Sequence, residues 1–265
     1  MWINSGIVVA VGDLVLLMGQ RQNYHLIPLI KDGEFQTHRG ILYHNDLIGK
    51  RWGSKVLSHK GNPFYLLQPG IEEIIHTTKR NTQIMYAKDI GYLLLKMNIV
   101  NGVTIIEAGT GSGSLTQVIA AVIGENGHLF SYESRDEMQN LARKNLRRIG
   151  LEDRVTFITK NIEQGFDQEN IQSLFLDLPN PYDYISIVQQ ALVPGGFFGS
   201  ILPTMNQVVK LLTALRRHAF VNVEVSEIML RHYQAEESKL RPVDRMVAHT
   251  GYLIFARSTN PISHE

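Results

Sequence analysis

The residue types and spacings best suited to chemistry in this 265-residue chain are three carboxylates and a cluster of glycines. In "TIIEAGTGSGSLT", residues 104–116, a run of branched apolar residues stops at Glu107 and then breaks into Gly109, Gly111 and Gly113. Glycine reaches backbone angles closed to other residues and lets a ligand come close to the main chain. The G-x-G-x-G spacing differs from the dinucleotide fingerprint, whose third small residue falls one place later, although Ser114 keeps that variant open. No G-K-[ST] follows, so a P-loop is excluded. Glu107 would repel a pyrophosphate but can face the positive amino-acid end of S-adenosylmethionine (SAM). A second acid, Glu133, ends "HLFSYE" 24 residues after Gly109, where a carboxylate accepts hydrogen bonds from ribose hydroxyls. A third, Asp177, ends the apolar run "LFLD" and would project from a strand end into a cleft.

These residues need a scaffold that brings strand ends together. Strand-like runs at 103–108, 128–133, 155–160, 173–178 and 196–202 alternate with helical stretches such as "LTQVIAAVIG", "DEMQNLARKNLRRIG" and "NQVVKLLTALRRHA". That alternation predicts an α/β fold with a parallel sheet covered on both faces. "VNVEVSEIMLRHYQ" and "HTGYLIFARS" read as a terminal antiparallel pair on the sheet edge. Upstream, short apolar runs broken by Gly12-Asp13 and Asp32-Gly33 predict β structure, with Asp32-Gly33 as a hairpin signal. We place a small N-terminal β domain at 1–68 and the catalytic domain at 69–265. The polar stretch "HTTKRNTQIMYAKD", residues 76–89, joins the two regions.

Composition narrows the classes. There are no cysteines, which excludes disulfides, thiolate metal sites and cysteine nucleophiles. The ten histidines form no HxH or HxxxH pair, so no metal is expected. The net charge is +1; residues 1–80 hold 9 basic and 6 acidic residues, the remainder 17 and 19. So weak a bias neither shows nor excludes nucleic-acid binding, which needs only a local patch. The N-terminal sequence lacks a basic n-region, and no apolar stretch approaches the ~20 residues that cross a bilayer. A cytoplasmic protein is the expectation.

"EAGTGSGSLT", "YE" at 132–133, "FLDLPNPY", "PGG" at 194–196 and "HTGYL" together resemble the class I SAM-dependent tRNA (adenine-N1)-methyltransferase family, which modifies position 58 of the T-loop. "TKRNTQIMYAKD" and "GILYHNDLIGKRWGS" extend the resemblance over nearly the whole chain. It implies a Rossmann-like catalytic domain with a seven-stranded, mostly parallel sheet, a homotetramer, and tRNA as partner. It places SAM on Glu107, Gly109, Thr110, Gly111, Ser112, Gly113, Leu115, Thr116, Glu133, Asn161 and Asp177. It makes Asp177 the catalytic acid and sets Tyr86 near the target adenine. Two positions depart from the family pattern: Asn180-Pro181-Tyr182 stands for D-P-W, and Asn161 for an aspartate.

Adenine N1 has a free lone pair at neutral pH, so the protein need only align it and stabilise the cation that forms. Asp177 suits that role and can accept the N6 proton. N1 is hidden in folded tRNA, so the base must be turned out, with Tyr86 and Tyr182 as stacking candidates. Lys79, Arg80 and Lys88 are candidate phosphate contacts, and His249 reads as a core or structural histidine rather than a ligand. Two other readings stay open: a non-catalytic tRNA-binding subunit, and a SAM methyltransferase with a different substrate.

Overall fold

The computed structural model describes residues 6–20, 23–80 and 84–260. Contacts divide the chain into two compact units, Met1–Lys79 with Arg147–Glu152, and Arg80–Leu146 with Asp153–Glu265.

The first unit is built from β1 (Leu14–Met18), β2 (Tyr24–Pro28), β3 (Glu34–Thr37), β4 (Gly40–Tyr43), α1 (His44–Leu47), β5 (Lys55–Leu57), β6 (Pro63–Leu67) and α2 (Ile71–His76). Four strands form an antiparallel sheet in the order β2-β1-β6-β5. Alternate residues of its strands, among them Val15, Leu17, Val56, Phe64 and Leu66, turn into one apolar core, as a sheet with one buried face requires. The hairpin expected at Asp32-Gly33 does not form. Asp32 does make the turn, in a left-handed conformation (φ 59°), but β3 pairs with β4 rather than β2. The preceding apolar run at 7–10 makes only an isolated bridge, Val8 to Arg51.

The second unit holds α3 (Ala87–Lys96), β7 (Thr104–Ala108), α4 (Ser114–Ile123), β8 (His128–Glu133), α5 (Asp136–Ile149), β9 (Val155–Thr159), β10 (Ile171–Leu176), α6 (Ile185–Ala191), β11 (Leu192–Leu202), α7 (Met205–Arg217), β12 (Phe220–Ser226) and β13 (Tyr252–Ser258); the last residues of α5 fall in the first unit. Seven strands run β12-β13-β11-β10-β7-β8-β9. The five central and far strands are parallel, and β13 is antiparallel to both its neighbours. The terminal antiparallel pair is therefore present, but β13 enters the sheet between β11 and β12, and only β12 is the edge. Core residues such as Ile106, Leu174, Phe198 and Ile254 are fully enclosed, which explains why the central strands read as continuous apolar runs. α4 is buried almost throughout, so "LTQVIAAVI" shows little polar face in the sequence. Strand order reverses at β7, with β8 on one side and β10 on the other, the place where open parallel sheets bind ligands.

Candidate active site

Register brings the three predicted elements to one level. β7 pairs with β10 so that Ala108 faces Leu176, and with β8 so that Ala108 faces Tyr132. Gly109 and Asp177 are the first residues past the ends of β7 and β10, and Glu133 is the last residue of β8, paired with Thr159 of β9. The Asp177 N–H donates to the Ala108 carbonyl (2.9 Å), and the Gly109 and Thr110 N–H groups donate to the Tyr132 carbonyl (2.9 and 3.2 Å). Gly109 and Gly113 have φ of 98° and 79°, angles that favour glycine.

Above these strand ends lies a cavity of about 570 Å³, a normal size for a small-molecule site. Glu107, Gly109, Thr110, Gly111, Ser112, Leu115, Glu133, Asn161 and Asp177 line it. Gly113 and Thr116 lie behind it. A methyl group on Gly113 would stand 2.9 Å from the Ala142 side chain, so this glycine lets α4 pack against α5. Thr116 Oγ1 donates to Glu107 Oε2 at 2.7 Å.

The three acids have different surroundings. Glu107 is enclosed, and burial pushes its carboxyl up to about 8; hydrogen bonds donated by Thr116 and Ser131 oppose this, while Asp177 and Glu133 add to it. Thr110 Oγ1 lies 2.7 Å from Ser131 Oγ, which extends the hydroxyl chain to the glycine loop. Glu133 is held below the usual carboxylate range. Burial would raise it, but hydrogen bonds from the Arg135 side chain, the Gly111 N–H and the Arg135 N–H together win. The Asp177 side chain makes no hydrogen bond or ion pair among the described residues. Burial pushes its carboxyl up to about 6. Protein surrounds it, yet its side chain is exposed to the cavity, and with titration at about 6 it is ionised at neutral pH.

A cationic nucleoside fits this set. Glu107 is an enclosed acid whose ionised form a positive charge in the cavity would stabilise, Glu133 is a carboxylate in the lining that could accept from hydroxyl groups, and Ser114 Oγ is buried without a partner among the described residues.

The predicted substrate residues are less gathered. Tyr86 precedes α3 and is exposed, beside Met85, which lines the cavity. Tyr182 packs against the apolar core, with Lys210 Nζ 5.1 Å from its ring centre. Lys79 and Arg80 are exposed; Asn81, Thr82 and Gln83 of the same motif lie outside the described residues. Lys88 is not a free cation: its Nζ donates to Asp89 Oδ1 (2.8 Å) and Thr250 Oγ1 (2.5 Å), with 7% side-chain exposure. His249 is exposed rather than core, and its nitrogens meet Glu227 Oε1 (2.6 Å) and the Pro203 carbonyl (3.0 Å).

Sequence reasoning did not single out Arg135, Lys160 or Tyr184, which also line the cavity, and named Asn180 only as a departure from the family pattern. Arg135 follows Glu133 by two residues, and Asn180 lies in the quoted "FLDLPNPY", so both positions were signalled though their roles were not.

Comparison with known families is decisive. The family model for the tRNA methyltransferase complex GCD14 subunit matches residues 63–244, and the TrmI-like N-terminal model matches 8–56. The chain belongs to the tRNA (adenine-N1)-methyltransferase family. Among members of this family, the tRNA (adenine(57)-N(1)/adenine(58)-N(1))-methyltransferase TrmI of Methanocaldococcus jannaschii is 31% identical, over 91% of this chain and 94% of its own. A solved tRNA (m1A58) methyltransferase TrmI from Aquifex aeolicus superposes with a TM-score of 0.83 at 35% identity, covering 96% and 100% of the two chains. A solved protein from Thermotoga maritima, named as a SAM-dependent O-methyltransferase, reaches 0.91 at 39% identity, covering 96% of each.

Proposed function

We propose that the protein transfers a methyl group from SAM to N1 of adenine 58 in the tRNA T-loop. The observation that carries this reading is Asp177: a carboxylate without a side-chain partner among the described residues, directly after β10, in the cavity lined by the glycine loop. The relatives named for adenine-N1 methylation of tRNA supply the substrate.

When bound, SAM supplies an electrophilic methyl group. Glu107 and its hydroxyl partners would hold the cationic end, Glu133 would take the ribose once Arg135 withdraws, and Asn161 would offer an amide oxygen to the cofactor's base. Asn161 Oδ1 also accepts from the Glu163 N–H at 3.1 Å, which fixes the amide. Asp177 stabilises the positive charge that grows on the adenine and can take a proton from N6. Tyr86, an exposed ring next to the cavity-lining Met85, is the proposed stacking partner of the turned-out base, and the exposed Lys79 and Arg80 are the proposed contacts to the RNA backbone. Tyr182 shapes the loop from beneath. A cytoplasmic location follows from the substrate. Among the described residues no helix is long and apolar enough to cross a membrane, and no group of acidic or histidine side chains is arranged for a metal. A homotetramer is part of the proposal, to be read by light scattering.

The test is incubation with SAM and unmodified tRNA, followed by mass spectrometry of the digested nucleosides. 1-Methyladenosine mapped to position 58 supports the reading, and the same map reports on adenine 57. Ribose or other oxygen methylation in its place would favour the O-methyl transfer for which the Thermotoga protein is named.

A further inference from the structure

Asn180 follows Asp177 by three residues, lines the same cavity, and stands where the family pattern has an acid. Its side-chain amide is fixed in one orientation. Nδ2 donates to Asp183 Oδ2 at 2.8 Å, and lies 3.3 Å from the Tyr184 hydroxyl. A carboxylate offers only acceptors, so turning the amide over would set two oxygens against each other. The side-chain oxygen, Asn180 Oδ1, is left with no hydrogen bond among the described residues. The loop around it is braced. Pro181 opens a short 3-10 turn over Pro181–Asp183, and the Asp183 N–H donates back to the main-chain carbonyl of Asn180 at 3.1 Å. Gln207 Nε2, on α7, donates to the Pro179 carbonyl at 2.9 Å.

Two residues that line the cavity, three apart in sequence, thus carry an acceptor without a donor among the described residues: the Asp177 carboxylate and Asn180 Oδ1. An exocyclic amine has two N–H donors to match them. Adenine presents such an amine beside N1. Guanine and hypoxanthine present a carbonyl oxygen there, and a protonated N1.

We propose that Asn180 is a specificity-determining residue for the acceptor base, reading the N6 amine alongside Asp177, and that Asp183 and Tyr184 are positioning residues that present its oxygen. This rests on the adenine-N1 reading above. Without the amine, an acceptor oxygen in the site loses its partner and the substrate is penalised. The neutral oxygen also keeps a third carboxylate away from Asp177 and Asp183, so the site gains an acceptor without further charge repulsion.

The experiment uses the full chain, SAM, and tRNAs ligated to carry adenine or unsubstituted purine at position 58. The ratio of kcat/KM for the two tRNAs is measured for the wild type and for N180A, N180S and D183A, with SAM affinity measured in parallel. N180A lowers the ratio about tenfold, the scale of one hydrogen bond, with SAM affinity within twofold of the wild type. D183A, which frees the amide to rotate, lowers it part of the way. If N180A fails to fold, N180S reads the same ratio. An unchanged ratio overturns the proposal. A tenfold loss of SAM affinity overturns it too, because it would place Asn180 on the cofactor. Failure of the wild type to methylate adenine 58 at all is a separate result, which defeats the proposed function instead.

Discussion

A single methyl group added to Gly109 would lie 2.2 Å from the Asp177 carbonyl oxygen, well inside contact distance. The glycine loop and the proposed catalytic acid are thus packed backbone to backbone. Gly109→Ala would push both apart, and its φ of 98° adds strain. This variant is expected to lose SAM binding and turnover together, read by calorimetry and the nucleoside assay.

Asp177→Asn separates the two. It keeps the shape of the loop and removes the charge, so kcat falls at least a hundredfold while SAM affinity stays near normal. Parallel loss of SAM binding would make Asp177 structural. The proposed role needs the ionised carboxylate, and burial pushes its titration up to about 6, so the wild-type rate should fall as pH drops through that value. A profile flat down to pH 5 would contradict the assignment.

Glu107 predicts a pH effect on stability. Its carboxyl titrates at about 8 in the fold and near 4.5 in the unfolded chain. Between those values the folded state binds more protons, so this group makes the protein less stable as pH rises. Without ligand, the melting temperature should fall from pH 5 to pH 8, and Glu107→Gln should flatten that slope. An identical slope in the variant would sink the argument.

Glu133 carries four donors already: Arg135 through Nε (3.0 Å), Nη2 (3.2 Å) and its backbone N–H (3.2 Å), and the Gly111 N–H (3.0 Å). A carboxylate has about four lone-pair sites, so ribose hydroxyls enter only as the half-exposed Arg135 side chain withdraws. Arg135→Ala should therefore tighten SAM binding, by up to about fivefold, the scale of a pair with one half-exposed partner. The gain should shrink in high salt. Weaker binding would show that the arginine contacts the cofactor instead.

The two tyrosines should behave differently. Tyr86 is exposed, and Tyr86→Ala should cut kcat/KM for tRNA about tenfold with an unchanged melting temperature. Tyr182 packs against the core beneath Lys210, and Tyr182→Ala should lower the melting temperature by several degrees.

The legible parts of the fold were those with local causes. Strand β8 falls on 128–133, as its apolar run indicated, and α5 begins at Asp136, where its amphipathic period begins. Glu107, Gly109, Gly111, Glu133, Asn161 and Asp177 meet in one cavity because each ends or follows a strand or turn visible in the sequence. What could not be read depends on distant partners. Nothing near Asp32-Gly33 says that β3 will choose β4. The burial of Lys88 depends on Thr250, 162 positions away. Tyr182 packs against the core with Lys210 of α7 over its ring, and the orientation of Asn180 is set by Asp183 and Tyr184.

The insertion of β13 between β11 and β12 sets an order of events during synthesis. A nascent chain that has emerged through Ser226 has made β12 but not the strand that joins it to the sheet. Until Tyr252–Ser258 follow, the outer edge of β11 stands open, and Thr250 has not reached Lys88 and Asp89. Every strand that lines the cavity is made well before its bracing is complete. The ribosome therefore releases the parts of the site early and their rigidity last, and a chain stopped before Tyr252 would carry all the proposed catalytic residues on an unfinished sheet with an edge ready to pair with another chain.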